Sequence, residues 1–135
     1  MSSGRVLALD YGTKRIGVAI SDALRITAGP LEVIPTEQAI AHIKRLLDEY
    51  QPSVIVVGLP IGLSGREGPA AVAARRFGEL VAEEADVAVE FVDERFTTHT
   101  AEQAMLEGGA KRRDRRQKVD KVAAAVILRQ YLERR

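Results

Sequence analysis

The sequence predicts a mixed α/β sheet of five strands flanked by helices. Three observations point there. Three strand-length apolar segments come first with no helical spacing between them, strand-like and helix-period segments alternate afterwards, and one of the later strands is apolar at every position, as a strand covered on both faces must be.

The first two segments lie in "RVLALDYGTKRIGVAISD", residues 5–22. Val6 to Asp10 and Ile16 to Ser21 are rich in Val, Ile, Leu and Ala and are separated by a short turn containing Gly12, so they read as a hairpin. A third strand is expected at Leu31 to Ile34, before Pro35. The period then changes. Ala39, Ile40, Ile43, Leu46, Leu47 and Tyr50 follow helical spacing, with Thr36 as an expected cap and Gln51-Pro52 as the stop. "SVIVVGL", residues 53–59, is the continuous apolar strand. The Gly- and Pro-rich loop "PIGLSGREGP", residues 60–69, leads into a helix with Pro69 at its start and an expected apolar side of Val72, Ala73, Phe77, Leu80 and Val81. "DVAVEFVDE" reads as the fifth strand. Thr100 and Gln103 have capping-box spacing ahead of a short helix that Gly108-Gly109 stops, and a last helix is expected from about Asp114, as its cap, to Glu133. At 135 residues this is one domain, residues 1–135.

Composition narrows the chemistry. Apolar residues make up 46% and charged residues 29%, the balance of a folded globular chain rather than a disordered one. No apolar run approaches a membrane span and the first residues lack a signal peptide's apolar core, so a cytoplasmic protein with no membrane partner is expected. Without cysteine there is no disulfide, thiolate zinc site or cysteine nucleophile, and two histidines, His42 and His99, leave little for histidine chemistry. The net charge of +1 is unevenly spread: six of the eight residues in "KRRDRRQK", 111–118, are cationic. Such a density suits contacts to a nucleic-acid backbone, and equally a solvated helix face.

Three places carry acids that call for explanation. Asp10 ends a strand before a glycine, which suits a turn, a phosphate-cradling loop or a metal ligand. Asp93 and Glu94 end the fifth strand, where neighbouring side chains point to opposite faces; which of the two faces a site is left open. Asp120 lies beyond the first turn of the last helix, out of reach of the helix dipole, and in line with Ala123, Ala124, Ile127 and Tyr131, the arc that must face the sheet. A carboxylate there needs a cation: a neighbouring Arg or Lys, or a metal. Carboxylates from two strand ends and a helix, without histidine or cysteine, suit a hard divalent ion, Mg²⁺ or Mn²⁺, and phosphoryl chemistry. Around them, Lys14, Arg15, Arg95 and Thr98 are candidate phosphate contacts, as are Lys111, Arg112, Arg113, Arg115, Arg116 and Lys118 of the basic run. Tyr11 and Phe96 are too few for a base-stacking platform.

Taken together, "LALDYGTKRIGVAISD", "VGLP…G…EGP", "VDERFTT…A" and "K..DKVAAAVILRQYL" resemble the successive motifs of the YqgF family, also called RuvX, whose members are described as Holliday junction resolvases and pre-16S rRNA nucleases. The resemblance spans nearly the whole chain. It implies a ribonuclease H-like fold, a divalent-metal endonuclease site with Asp10, Glu94 and Asp120 as its carboxylates, and pre-16S rRNA or branched DNA as the nucleic-acid partner of a monomer or homodimer in the bacterial cytoplasm. Two departures stand out: Ile61-Gly62-Leu63-Ser64 replaces a Leu-Asn-Met-Asp-like stretch, and Lys121 follows Asp120 where a small residue is common. Two other classes remain for test, an actin-like nucleotide-binding ATPase, suggested by the Asp-x-Gly-Thr hairpin, and a non-catalytic nucleic-acid-binding module.

Overall fold

A computed structural model describes residues 4–61, 67–93 and 112–134, with the side chains of 112–121 excepted. Its centre is a five-stranded sheet: β1 (Val6–Asp10), β2 (Arg15–Ser21), β3 (Ala28–Pro35), β4 (Val54–Leu59) and β5 (Val89–Asp93), in the spatial order β3-β2-β1-β4-β5. β1, β2 and β3 form an antiparallel meander, and β1, β4 and β5 are parallel. Parallel neighbours need crossovers, supplied by α1 (Ala39–Tyr50) and α2 (Pro69–Ala85), while α3 (Arg112–Glu133) follows the last strand.

The pleat sorts the core into two layers. Leu7, Leu9, Ile16, Val18, Ile55 and Val57 pack under α1 and α2, against Ile43, Leu46, Phe77 and Val81. Val6, Ala8, Ala19, Val54, Val56 and Val92 pack under α3, against Ala124, Ala125, Ile127 and Leu128. All six residues of β4 are buried, as expected of a strand covered twice.

Most elements stand where the sequence puts them, with instructive differences. β3 is longer than expected; a bulge at its Leu31, opposite the Val18–Ala19 step of β2, lets the pairing pass from Glu32 to Pro30 and continue to Ala28. A 3-10 turn, Thr36–Gln38, precedes α1, and Thr36 makes no side-chain cap. On α2 the buried arc is Ala71, Ala74, Phe77, Gly78 and Val81; Val72 and Leu80, expected inside, are 40% and 44% exposed because they lie on the neighbouring arc. Asp86, assigned to the fifth strand, instead closes α2 in the left-handed region with φ 50°. α3 already runs at Arg112, so Asp114 sits inside the helix rather than capping it. The helix expected after Thr100 lies outside the described residues.

The end of the sheet where β1 begins is tied by a group that composition does not reveal. Arg25, 8% exposed and with φ 60°, donates from Nε to the Gly4 carbonyl and from Nη2 to Ser53 Oγ, both at 2.9 Å. The β2–β3 turn is thereby clamped to the starts of β1 and β4. Within that turn the amides of Ile26 and Thr27 donate to Asp22 Oδ1 at 2.8 and 2.9 Å. These bonds, the Thr27 amide foremost, hold the Asp22 carboxyl below its ordinary value.

A carboxyl lowered by folding stabilises the fold above the unfolded-state pKa of about 4, and that stabilisation is lost as pH falls through the folded-state value. Asp22→Ala is therefore expected to lower the melting temperature near neutral pH. Thermal unfolding followed from pH 7 into acid checks this: the gap between wild type and Asp22→Ala narrows below about pH 4.

Candidate active site

The carboxyl ends of β1, β4 and β5 lie together at the opposite end of the sheet, where ligands of open α/β sheets bind. Asp10 is the last residue of β1 and shares the parity of Val6 and Ala8, so its side chain is on the α3 face. It pairs across the strands with Gly17, and Ala8 pairs with Ala19. Ala124 of α3 is fully buried in the same layer as Ala8 and Ala19. Short side chains on both surfaces let the helix approach the sheet closely.

The turn after Asp10 is held from two sides. A Cβ placed on Gly12 would stand 2.5 Å from the Arg15 carbonyl oxygen, a backbone atom that cannot swing away. Thr36 supplies the second restraint: its hydroxyl donates to the Gly12 carbonyl at 2.7 Å and its amide to the Lys14 carbonyl at 3.1 Å. The residue expected to cap α1 thus fastens the start of that helix to the Asp10 turn. Lys14 is exposed on this turn and Arg15 opens β2.

Along β5 the side chains alternate between the two layers. Glu90 accepts a hydrogen bond from Tyr131 Oη of α3 at 2.7 Å, and Val92 packs in the α3 layer. Phe91, on the alternate parity, packs toward α2, beneath the Arg75 guanidinium at 5.1 Å from the ring centre. Asp93 has the parity of Phe91 and, at the edge of the sheet, lines a cavity with Gln130 and Glu133 of α3. Glu94, Arg95, Thr98 and Lys111 lie outside the described residues. Arg112, Arg113, Arg115, Arg116, Lys118 and Asp120 fall in the N-terminal part of α3, where the backbone is helical. Among the described residues no three acids or histidines stand close enough together to hold a metal ion.

One feature of this end escaped sequence reasoning. Tyr11, on the α2 side of the sheet, meets Phe77 with ring centres 4.8 Å apart and an interplanar angle of 31°. The two are 66 positions apart, and nothing in either local pattern joins them. Glu67 at the mouth of α2 is paired with Arg75, whose Nη2 and Nε lie 2.6 and 3.1 Å from its carboxylate oxygens; that hydrogen bond lowers the Glu67 pKa.

The family model described as RuvX, Holliday junction resolvase, matches residues 4–134. The chain belongs to the RuvX family. RuvX relatives named "Putative pre-16S rRNA nuclease" include those of Clostridium beijerinckii, 47% identical over 132 residues and covering 96% of both chains, and Lactococcus lactis subsp. cremoris, 42% identical over 134 residues and covering 96% of this chain and 94% of the relative. Another so named, from Dictyoglomus thermophilum, is 44% identical over 132 residues, with 96% and 95% covered. Among solved structures, the RuvX chain superposes on T. thermophilus RuvC in complex with a Holliday junction substrate with a TM-score of 0.60, at 18% identity, covering 97% of this chain and 96% of that one. That likeness bears on the fold, and it agrees with the ribonuclease H-like sheet expected from the motifs.

Gly12→Ala is expected to destabilise the protein by on the order of 1–3 kcal/mol, since the added methyl must displace backbone. Thr36→Val, which keeps the shape and removes the hydroxyl, is expected to lose about 1 kcal/mol. Denaturant unfolding of the two variants checks both values.

Proposed function

We propose that this RuvX protein is a divalent-metal-dependent endonuclease, a single ribonuclease H-like domain that hydrolyses phosphodiester bonds in structured nucleic acid. The names carried by its relatives favour the 5′-end maturation of pre-16S rRNA, with Holliday junction resolution as the family description's alternative. The actin-like ATPase reading gives way, because the family model and the nuclease relatives run the length of the chain.

The observation that carries the proposal is the position of Asp10. It ends the central strand, on the face covered by α3, at the edge where the parallel strands terminate. Asp120 is the second carboxylate of this reading, carried over from the motif resemblance. The last turns of α3 cross the sheet: Tyr131 bonds to Glu90, which is level with Ala8, Arg129 and Leu132 line a cavity with Ile26, Thr27 and Ala28, and Gln130 and Glu133 line another with Val92 and Asp93. Glu94 is the third carboxylate of this reading, carried over from the motif resemblance.

The donor set fits a hard cation: carboxylate oxygens, with no cysteine in the chain and with His42 away on α1. Asp10, Glu94 and Asp120 would hold Mg²⁺ or Mn²⁺, which supplies Lewis acidity toward the scissile phosphate and a water of lowered pKa. The chain's own part is positional. The Gly12 turn and the Thr36 brace fix Asp10, while Lys14 and Arg15 stand on the rim where a phosphate backbone would pass. Arg95, Thr98, Lys111 and the arginines at the start of α3 would neutralise further phosphates, fixing the register of the nucleic acid without reading its sequence.

Asp10→Asn and Asp120→Asn are each expected to abolish cleavage while the far-ultraviolet circular dichroism and the melting transition persist. The measurement is cleavage of precursor 16S rRNA and of a four-way DNA junction at matched Mg²⁺ and salt. Undiminished cleavage by Asp10→Asn would refute the site, and cutting of one substrate without the other fixes the substrate class. Replacing Arg112, Arg113, Arg115 and Arg116 together with Gln is expected to weaken binding and to lower the slope of log K against log salt by as much as about 4, near one for each phosphate that an arginine no longer neutralises. Filter binding between 50 and 200 mM salt, about the range over which such charge neutralisation fades, measures it.

A further inference from the structure

A groove of about 690 Å³ lies between Tyr11 and α2, on the sheet face opposite Asp10. Tyr11, in contact with Phe77, lines it together with Val72, Ala73, Leu80 and Arg76 of α2. Large apolar side chains left this open are few among the described residues. Val72 and Leu80 are two of four, and both line this groove.

Shape, charge and position together define an occupant. An aromatic ring beside exposed aliphatic side chains makes a surface for a flat apolar ring, and every nucleobase presents one. The nearby Glu67 carboxylate is already taken by Arg75. Arg76 is exposed and makes no ion pair among the described residues, so the rim presents a cation suited to phosphate. Tyr11 is joined directly to Asp10, and successive Cα atoms are about 3.8 Å apart. Their side chains take opposite faces, so a strand that reaches both must pass round the end of β1.

We propose that this groove receives one unpaired base of the substrate strand next to the scissile phosphate, with Tyr11 stacking on the base and Arg76 contacting its phosphate. The proposal rests on the nuclease reading and deepens it: the substrate has a single-stranded segment at the cut, as at the end of a precursor or the branch of a junction. Stacking alone reads no base identity, so cleavage would require an unpaired base there and tolerate any of the four. A single slot also agrees with the expectation that aromatic residues are too few for a platform of several bases.

The test uses a duplex RNA with a single-stranded extension, carrying 2-aminopurine at successive positions around the cut. Wild-type protein is first assayed for its cleavage, and binding is then followed by fluorescence in the non-cutting Asp10→Asn protein. Stacking quenches 2-aminopurine at one position. Adding Tyr11→Ala or Leu80→Glu is expected to abolish that quench and weaken binding about ten-fold, whereas Tyr11→Phe preserves both. In the cleaving protein the same changes raise KM more than they lower kcat. Unchanged quenching and affinity in Tyr11→Ala and Leu80→Glu, with wild-type cleavage intact, would overturn the groove and leave the nuclease standing. A Leu80→Glu effect confined to the sedimentation of a self-associated species would overturn it too, by assigning the groove to a second copy of the chain. Failure of wild type to cleave would remove both readings together.

Discussion

The burial of β1 on both faces is the constraint on which the rest depends. Its residues alternate between the two layers, Leu7 and Leu9 under α1 and α2, Val6 and Ala8 under α3, with every one of the four fully buried. Such a strand cannot slip by one residue without exchanging its entire set of contacts. The parity of Asp10 is therefore fixed by the apolar packing of the four residues before it. β1 is also the junction of the two halves of the sheet, antiparallel to β2 and parallel to β4. The hairpin pairing runs to Asp10 and the crossover pairing to Leu9 beside it.

The two ends of the sheet are built differently. Where β1 begins, polar groups are used up in holding the fold: Arg25 spans two strand starts, Asp22 accepts the amides of its turn, and the buried Ser21 hydroxyl accepts the Val6 amide at 2.8 Å. Where β1 ends, Gly12 and Thr36 restrain the backbone, and the charged side chains of Lys14 and Arg76 are left exposed. Asp22 and Asp10 thus end successive strands and do unrelated work. One satisfies amides in a turn, and the other stands at the carboxyl end of the central strand.

Much of this was legible in the residues. The helical spacing of Ala39, Ile43 and Leu46 and the uninterrupted run of β4 were sufficient because each records burial in a local period. The arc of Ala123, Ala124 and Ile127 likewise gave the face of α3 that meets the sheet. Parity at β5 was not legible, since Asp93 and Glu94 are both acids and the choice depends on which layer Val92 joins. Nor was the partition of α2: Val72 and Leu80 are as apolar as the residues beside them, and the narrow contact with β4 and β5 decides which are covered. Arg25 gave no signal either, because its acceptors are a carbonyl and a serine at positions 4 and 53. Long-range pairs of this kind leave no period behind them.

Pro30 and Pro35 in β3 have a consequence for the growing chain. The meander is complete in sequence at residue 35, before any of β4, which begins at Val54, has been made. During that interval a three-stranded sheet has two bare margins, each a template for pairing with other chains. On β3 two positions carry no amide hydrogen and a bulge distorts the line, which makes that margin a poor template. The other margin is β1 itself, the edge that β4 is next to fill. Synthesis thus leaves open one productive edge, and it is the edge whose completion assembles the working end.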